Sequence, residues 1–488
     1  NPERISERVY ANAPFLWIYA EPHRGQQAIG YARAGQSLRV TSVPTTSPST
    51  ARPATAQSSS TRGCAGGWKA VEPHGFVCLD DAASLEPTRY STSMNQLAPR
   101  KGAWPFHYAL SLGSVSYRRL PTSAEARRYE ARFARSPSLP AHWSGYSELA
   151  EGALAEPGST PDFLREKGSV SRPAETRLAR RDVPAGSLVA YTSVFEHDGR
   201  SWLQNADGTI VPADRVRPFR PSHFAGVDLK KERLALRFAF TRGDVSARPL
   251  SNAPGCALSH AANENGRLDA RVRTLASSCA SDSAIELSAR TPLALTGRVV
   301  EFDGARWLVA RRTNEATHLL VRQSALRIAE KRTRPFSSHE NWIAFSIQRG
   351  VLVTYEDEEP TFVTLASPGA GGVPRASDGS EWRTTPTGFH RIQFKHRTDD
   401  MSPEWGEHRS HYIADVPHVL YFAPPFAIHV AYWHEQFGEP MSGGCINVSP
   451  RDGERLFGWT SPAVPADWHG AGASPRTGAG TAIWIDRY

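Results

Sequence analysis

The chain has 488 residues, 40% hydrophobic and 22% charged, with a formal net charge of +8. At roughly 100 to 200 residues per domain, that length implies about three or four domains, and no apolar run approaches the roughly 18 residues of a membrane helix. The positive charge suits an acidic partner, but the basic residues are mostly scattered Arg among Asp and Glu, without a Lys/Arg block, a zinc-knuckle spacing or an aromatic RNA-binding signature; this sets nucleic acid aside. The numbering starts at Asn1 rather than Met, which leaves room for a removed signal segment or an anchor ahead of it.

Strand signals dominate: short runs of Val, Ile, Leu, Phe, Tyr and Trp punctuated by Gly, Pro and Asp-Gly turns, so the fold is expected to be mainly β. The first module is placed at residues 10–82, with strands predicted at 15–19, 27–31, 37–40, 67–71 and 75–78. This small barrel pattern resembles a bacterial SH3-like domain. Residues 41–62, rich in Ser, Thr, Pro and Ala, have no core to bury and read as a mobile loop.

Two later stretches look related. Residues 107–116 match 237–246, and residues 195–203 match 300–308, in the same order. Each second segment has an Asp-Gly hairpin turn before a core Trp, at Asp198-Gly199 with Trp202 and at Asp303-Gly304 with Trp307. The reading is a duplicated SH3-like module, at 104–222 and again at 234–332, against chance similarity between generic hairpins. The first copy carries an Arg/Ala/Glu/Ser/Pro-rich insert at 122–181, with a helix predicted around 124–133.

A change of character after Pro335 opens the last domain, placed at 338–488. Strands are predicted at 342–348, 351–355, 361–366, 391–395 and 427–432, the last with His429 near its middle. Ser449-Pro450-Arg451-Asp452 is a helix start: Ser as N-cap, Pro at the first helical position and Asp in the first turn.

The five cysteines sort simply. Cys64 with Cys78 and Cys256 with Cys279 have spacings that suit local disulfides, although four cysteines allow three connectivities. Two disulfides favour an oxidising compartment, a periplasm or cell envelope. Cys445 is left over, sixteen positions after His429, in the run Met-Ser-Gly-Gly-Cys-Ile-Asn-Val-Ser. A thiol is only a few per cent ionised at neutral pH, and an imidazole within hydrogen-bond reach generates the thiolate that attacks a carbonyl. Cys445 with His429 supplies such a pair, weighed against a buried cysteine and a satisfied core histidine. The amides of Gly444 and Cys445 are candidate oxyanion donors, and Ser442, Gly443 and Gly444 form the turn that positions them. His408, His411 and His418 share no ligand spacing with His429, so no metal and no organic cofactor is expected.

From Thr385-Pro386-Thr387-Gly388 through His429 to Ser442, Gly444-Cys445-Ile446 and Asn447, residues 338–488 resemble the L,D-transpeptidase catalytic domain, the YkuD fold. Two positions depart from its pattern: Val430 stands where the family often has Gly, and Gly443 where it usually has His. The resemblance implies a β-sandwich with a short helix after a catalytic Cys445, His429 as its base, peptidoglycan stem peptides as substrates and carbapenems as inhibitors. Transfer to water instead of an amine, or a decayed wall-binding protein, are the alternatives. Tyr421, Tyr432, Trp433, His434 and Asn447 are placed at the substrate pocket, with core packing as the competing reading for Tyr421 and Trp433. His434 is also a candidate substitute for the histidine missing at 443.

Overall fold

The computed structural model describes residues 7–41, 63–133, 157–165, 177–253, 256, 268, 272–373, 383–402 and 411–488. All but Thr41 of the loop expected at 41–62, most of the 122–181 insert, and His408 lie outside the described residues. The described chain is mainly β and forms two compact units: Asn1–Ser222 with Gln393–Leu420 and Phe457–Gly480, and His223–Ile392 with Tyr421–Leu456 and Thr481–Tyr488. Residues 338–488 are thus shared between the units.

In the first unit, strands Phe15–Tyr19 and Ala28–Arg33 form an antiparallel hairpin. Alternation sends Leu16 and Ile18 inward to a core with Val9, Leu38 and Val77, while Phe15 and Trp17 face out. The same core takes Trp468 and Ala471 from far along the chain, because strand Gly470–Gly472 pairs with Ala28–Arg33 on one side and Phe394–Met401 on the other. Gly30 permits that approach: a Cβ there would stand 2.4 Å from the Trp468 ring and 2.6 Å from the Gly470 carbonyl oxygen. Cys64 and Cys78 are joined in a disulfide.

One strand ladder occurs twice. In the first unit His107–Ser111 pairs with Leu188–His197 and Val216–Pro218, Ser114–Tyr117 with Ala179–Val183, and Leu188–His197 continues through Arg200–Asn205 to Ile210–Pro212. In the second, Phe238–Thr241 pairs with Pro292–Phe302 and Leu326–Ala329, Val245–Pro249 with Ile285–Leu287, and Pro292–Phe302 continues through Ala305–Arg312 to Leu319–Arg322. The hairpin turns match as well, with positive φ at Asp198 and Gly199 and at Asp303 and Gly304, the geometry that favours Asp-Gly there. Trp202 and Trp307 are both buried. The predicted helix in the insert appears as Ser123–Glu130, started by a capping box between Thr122 and Glu125. In the second copy Cys256 and Cys279 are bonded.

The second unit also holds a six-stranded sheet in the order Val227–Asp228, Glu359–Leu365, Val351–Glu356, Asn341–Ser346, Ala482–Asp486, Gly388–Arg391. Its one parallel pair brings the C-terminal strand alongside Asn341–Ser346. Trp342 stacks on Tyr355 at 4.3 Å within a core that includes Val353, Val363, Phe238 and Phe437. Helix Pro450–Trp459 begins where the sequence places it: Ser449 Oγ accepts from the Asp452 amide, and the Asp452 carboxylate accepts from the Gly226 amide and Thr364 Oγ1. At its other end the buried Lys395 ammonium donates to the carbonyls of Phe457 and Thr460, at 2.6 and 2.8 Å, and satisfies two carbonyls that the helix leaves open.

Candidate active site

The site grows from a pair of short parallel strands, Phe426–Val430 and Ile446–Val448. Their register sets Ile428 opposite Ile446 and Val430 opposite Val448, all buried, and between these apolar pairs sets His429 opposite Asn447. Two polar side chains closed into an apolar layer must find each other or pay for desolvation. His429 Nε2 and Asn447 Nδ2 are 3.0 Å apart.

The protons can be placed by what each partner is able to do. A carbonyl only accepts, so His429 Nδ1, 3.0 Å from the Val430 oxygen, carries the hydrogen. Nε2 is then the bare nitrogen and accepts from the Asn447 amide group. The Gln436 backbone amide donates to His434 Nδ1 at 3.2 Å, so His434 carries its hydrogen on Nε2, which donates to Asn447 Oδ1 at 3.4 Å. The result is a one-way chain, His434 to Asn447 to His429 to Val430, that fixes the His429 ring and its tautomer. Burial, with a smaller effect of His434 against the Val430 hydrogen bond, pushes the His429 imidazole down to about 4, so it is neutral at pH 7.

Cys445 is half-buried and not disulfide-bonded, and it immediately precedes strand Ile446–Val448. It lies two positions before Asn447, in the bend that leads into the strand. The Cys445 Sγ is 4.0 Å from the Pro425 carbonyl oxygen.

The turn ahead of Cys445 is tied down from both sides. The amides of Met441 and Ser442 donate to the Pro368 carbonyl, and the Ala370 amide donates to the Ser442 carbonyl. Within the turn, Ser442 Oγ donates to the Cys445 carbonyl at 2.5 Å and accepts from the Gly444 amide at 3.0 Å. The Gly444 amide, expected as an oxyanion donor, here holds the turn together through Ser442. The two glycines also differ. Gly444 has φ +136°, and a Cβ there would stand 2.3 Å from the Phe426 ring and 2.9 Å from the Thr384 carbonyl oxygen; at Gly443 a Cβ would meet nothing within 4 Å. The position where the family usually carries His is therefore open.

The remaining expected residues divide. Trp433 lies against His429, ring centroids 5.8 Å apart, with Tyr432 edge-on to it at 5.0 Å and buried. Asn447 and His434, expected at the substrate pocket, are hydrogen-bonded in series to His429. Tyr421 is half-buried on strand Ile413–Ala423. The role of Asn447 has a signal in the sequence, a lone amide between two β-branched residues of a buried strand; the His434 link has none, because it depends on a turn. Thr385, in the predicted Thr-Pro-Thr-Gly turn, is fully buried and its Oγ1 accepts from the Gly369 amide at 2.9 Å. Among the described residues, no group of His, Cys, Asp and Glu is arranged to hold a metal ion.

Residues 340–481 match the family model of the L,D-transpeptidase catalytic domain, YkuD. Solved structures similar to the chain include an L,D-transpeptidase from Xylanimonas cellulosilytica, 22% identical over 32% of this chain and 64% of that one, with a TM-score of 0.22. Another is an L,D-transpeptidase from Mycobacterium smegmatis, 15% identical over 36% of this chain and 75% of that one, TM-score 0.23. A third is an L,D-transpeptidase in complex with imipenem, 17% identical over 37% of this chain and 72% of that one, TM-score 0.23. The chain spans just under two-thirds of the length of the first of these. No curated protein matched the chain.

Proposed function

We propose that this chain, whose residues 340–481 carry a YkuD-type catalytic domain, is a peptidoglycan L,D-transpeptidase that works through a thioester on Cys445. The observation that supports it best is a ring-locked, neutral His429 on the strand beside the one that Cys445 leads into.

The donor is a stem peptide ending in a D-residue. His429 Nε2, once it gives up its hydrogen bond from the Asn447 amide group, takes the Cys445 proton as sulfur attacks the carbonyl carbon of the L-centre of the diamino acid. The carbonyl becomes an oxyanion, for which the Cys445 amide is the proposed donor; a single such donor is commonly worth about 3 to 4 kcal/mol. The C–N bond breaks, the proton on Nε2 passes to the leaving amine, and the acyl group remains on sulfur. An acceptor side-chain amine then attacks the thioester and gives its proton to Nε2, which returns it to the departing thiolate. The product is a direct cross-link between diamino acids; water in place of the amine gives carboxypeptidase activity. A neutral resting imidazole makes His429 a general base, and Cys445 is ionised in the course of attack. Two disulfides and a positive net charge suit a cell envelope and a carboxylate-rich wall polymer, and the front modules are assigned to positioning on it.

Imipenem, bound by one of the similar structures, tests the nucleophile. Intact-mass spectrometry should show an adduct on the wild-type chain that is lost in Cys445→Ala; an unmodified wild type points to a decayed site. With tetrapeptide muropeptides, dimers support transfer, and tripeptide monomers alone support the hydrolase.

A further inference from the structure

The first compact unit contains a cavity of about 400 Å3, inside the roughly 300 to 1,000 Å3 range of small-ligand sites. Phe15, Tyr31, Arg33, Asp400, Asp415 and His469 are among its walls. Beside it Phe15 stacks on Trp17, centroids 5.5 Å apart and planes 12° apart, while the Tyr31 ring lies against both at 5.1 and 5.5 Å. Phe15 and Trp17 are 46% and 42% exposed. Two adjacent large aromatics left in water as a flat stack are costly unless something covers them.

The polar side of the cavity is rigid and largely charge-compensated. Arg33 reaches both oxygens of Asp415, and Thr398 Oγ1 donates to the same carboxylate at 2.7 Å. The Asp415 amide donates to Asp400 Oδ1 at 2.8 Å, and Arg180 pairs with Asp207 at 2.5 Å. With guanidiniums and carboxylates already facing one another, an ion of either sign has little to gain by entering. What is offered is an array of fixed lone pairs and N–H groups beside aromatic faces. His469 adds to it: the ring is 1% exposed, its Nε2 donates to the Thr398 carbonyl at 2.9 Å, and its Nδ1 has no hydrogen-bond partner among the described residues. An unmet buried acceptor costs about 1 to 3 kcal/mol and is relieved by a ligand hydroxyl or amide.

We propose that this cavity and its aromatic shelf bind a neutral saccharide, with Phe15 and Trp17 stacking on the apolar face of a pyranose ring and the Asp400 and His469 acceptors taking its hydroxyl or amide hydrogens. A sugar ring is both polyhydroxylated and flat on one side, which is the combination the walls present. The binding is independent of the chemistry at Cys445, so the Cys445→Ala chain serves as host.

The test is calorimetric titration of that full-length chain with a β-1,4-linked N-acetylglucosamine tetramer and, separately, with a sugar-free stem tetrapeptide. The tetramer should bind. Trp17→Ala should weaken it about tenfold or more, the loss of one stacking contact of about 1.4 kcal/mol, with circular dichroism and Tm used to confirm that the variant is folded at the titration temperature. Asp400→Asn, which keeps the Oδ1 acceptor for the Asp415 amide, should weaken it as well. The proposal is overturned if neither probe binds, if the peptide alone binds and is lost in Trp17→Ala, or if tetramer binding is the same in both variants as in the host.

Discussion

Gly443 and Gly444 are chemically identical and one bond apart, yet the structure gives them opposite tolerances. Alanine at 444 would put a side chain at φ +136°, a region nearly closed to L-residues and costing about 1 to 3 kcal/mol. Its Cβ would also overlap a Phe426 ring carbon at 2.3 Å and press on the Thr384 carbonyl oxygen at 2.9 Å. The ring can turn aside; the backbone oxygen cannot, so the turn must shift by several tenths of an ångström and carry Cys445 with it. A misplacement near 1 Å in a reacting group costs on the order of 100-fold in rate. Gly444→Ala is therefore expected to slow imipenem acylation by about two orders of magnitude, while Gly443→Ala stays within about threefold of wild type, because its Cβ meets open space. Stopped-flow acylation with intact-mass confirmation measures both. Equal losses in the two variants, or a larger loss at 443, would refute the reasoning.

Two further outcomes follow from buried titrating groups. His429 is held down to about 4 against an ordinary 6.5, so it remains a competent base well into acid, and acylation by imipenem should fall only as pH drops through about 4; half-loss near 6.5 would show an imidazole that is not so buried. Lys395 is pushed down to about 7 by burial and by Arg397, from 10.5 in the unfolded chain. Between those values the unfolded state binds more protons, so this group makes the fold gain stability as pH rises from about 7 toward 10.5. Lys395→Met should flatten that rise in chemical denaturation curves and, by freeing the Phe457 and Thr460 carbonyls, lower stability by about 1 to 3 kcal/mol. An unchanged pH slope would place the titrating group elsewhere.

What was legible in the sequence is what short-range physics decides. Asp198-Gly199 and Asp303-Gly304 announce turns because few residue pairs accept positive φ twice, and Ser449-Pro450 announces a helix because each fits one end position. The odd cysteine follows from counting, and both disulfides pair as their spacing suggests. Asn447 was marked as a lone amide in a buried strand, but its partner follows from the register of two strands, and the link to His434, which depends on the path of a turn, was not legible. Nor was the diversion of the Gly444 amide to Ser442, a bond between residues whose spacing allows many turns. Trp468 in the core of a hairpin at residues 15–33 carries no local mark at all.

That last contact ties distant parts of the chain together. The core around Leu16 and Ile18 is completed by Trp468 and Ala471, so this hairpin is covered only when residues far along the chain reach it. Its closure is a long-range, entropically slow step. A fragment cut to begin near residue 338 would retain Trp468 while losing the wall that buries it.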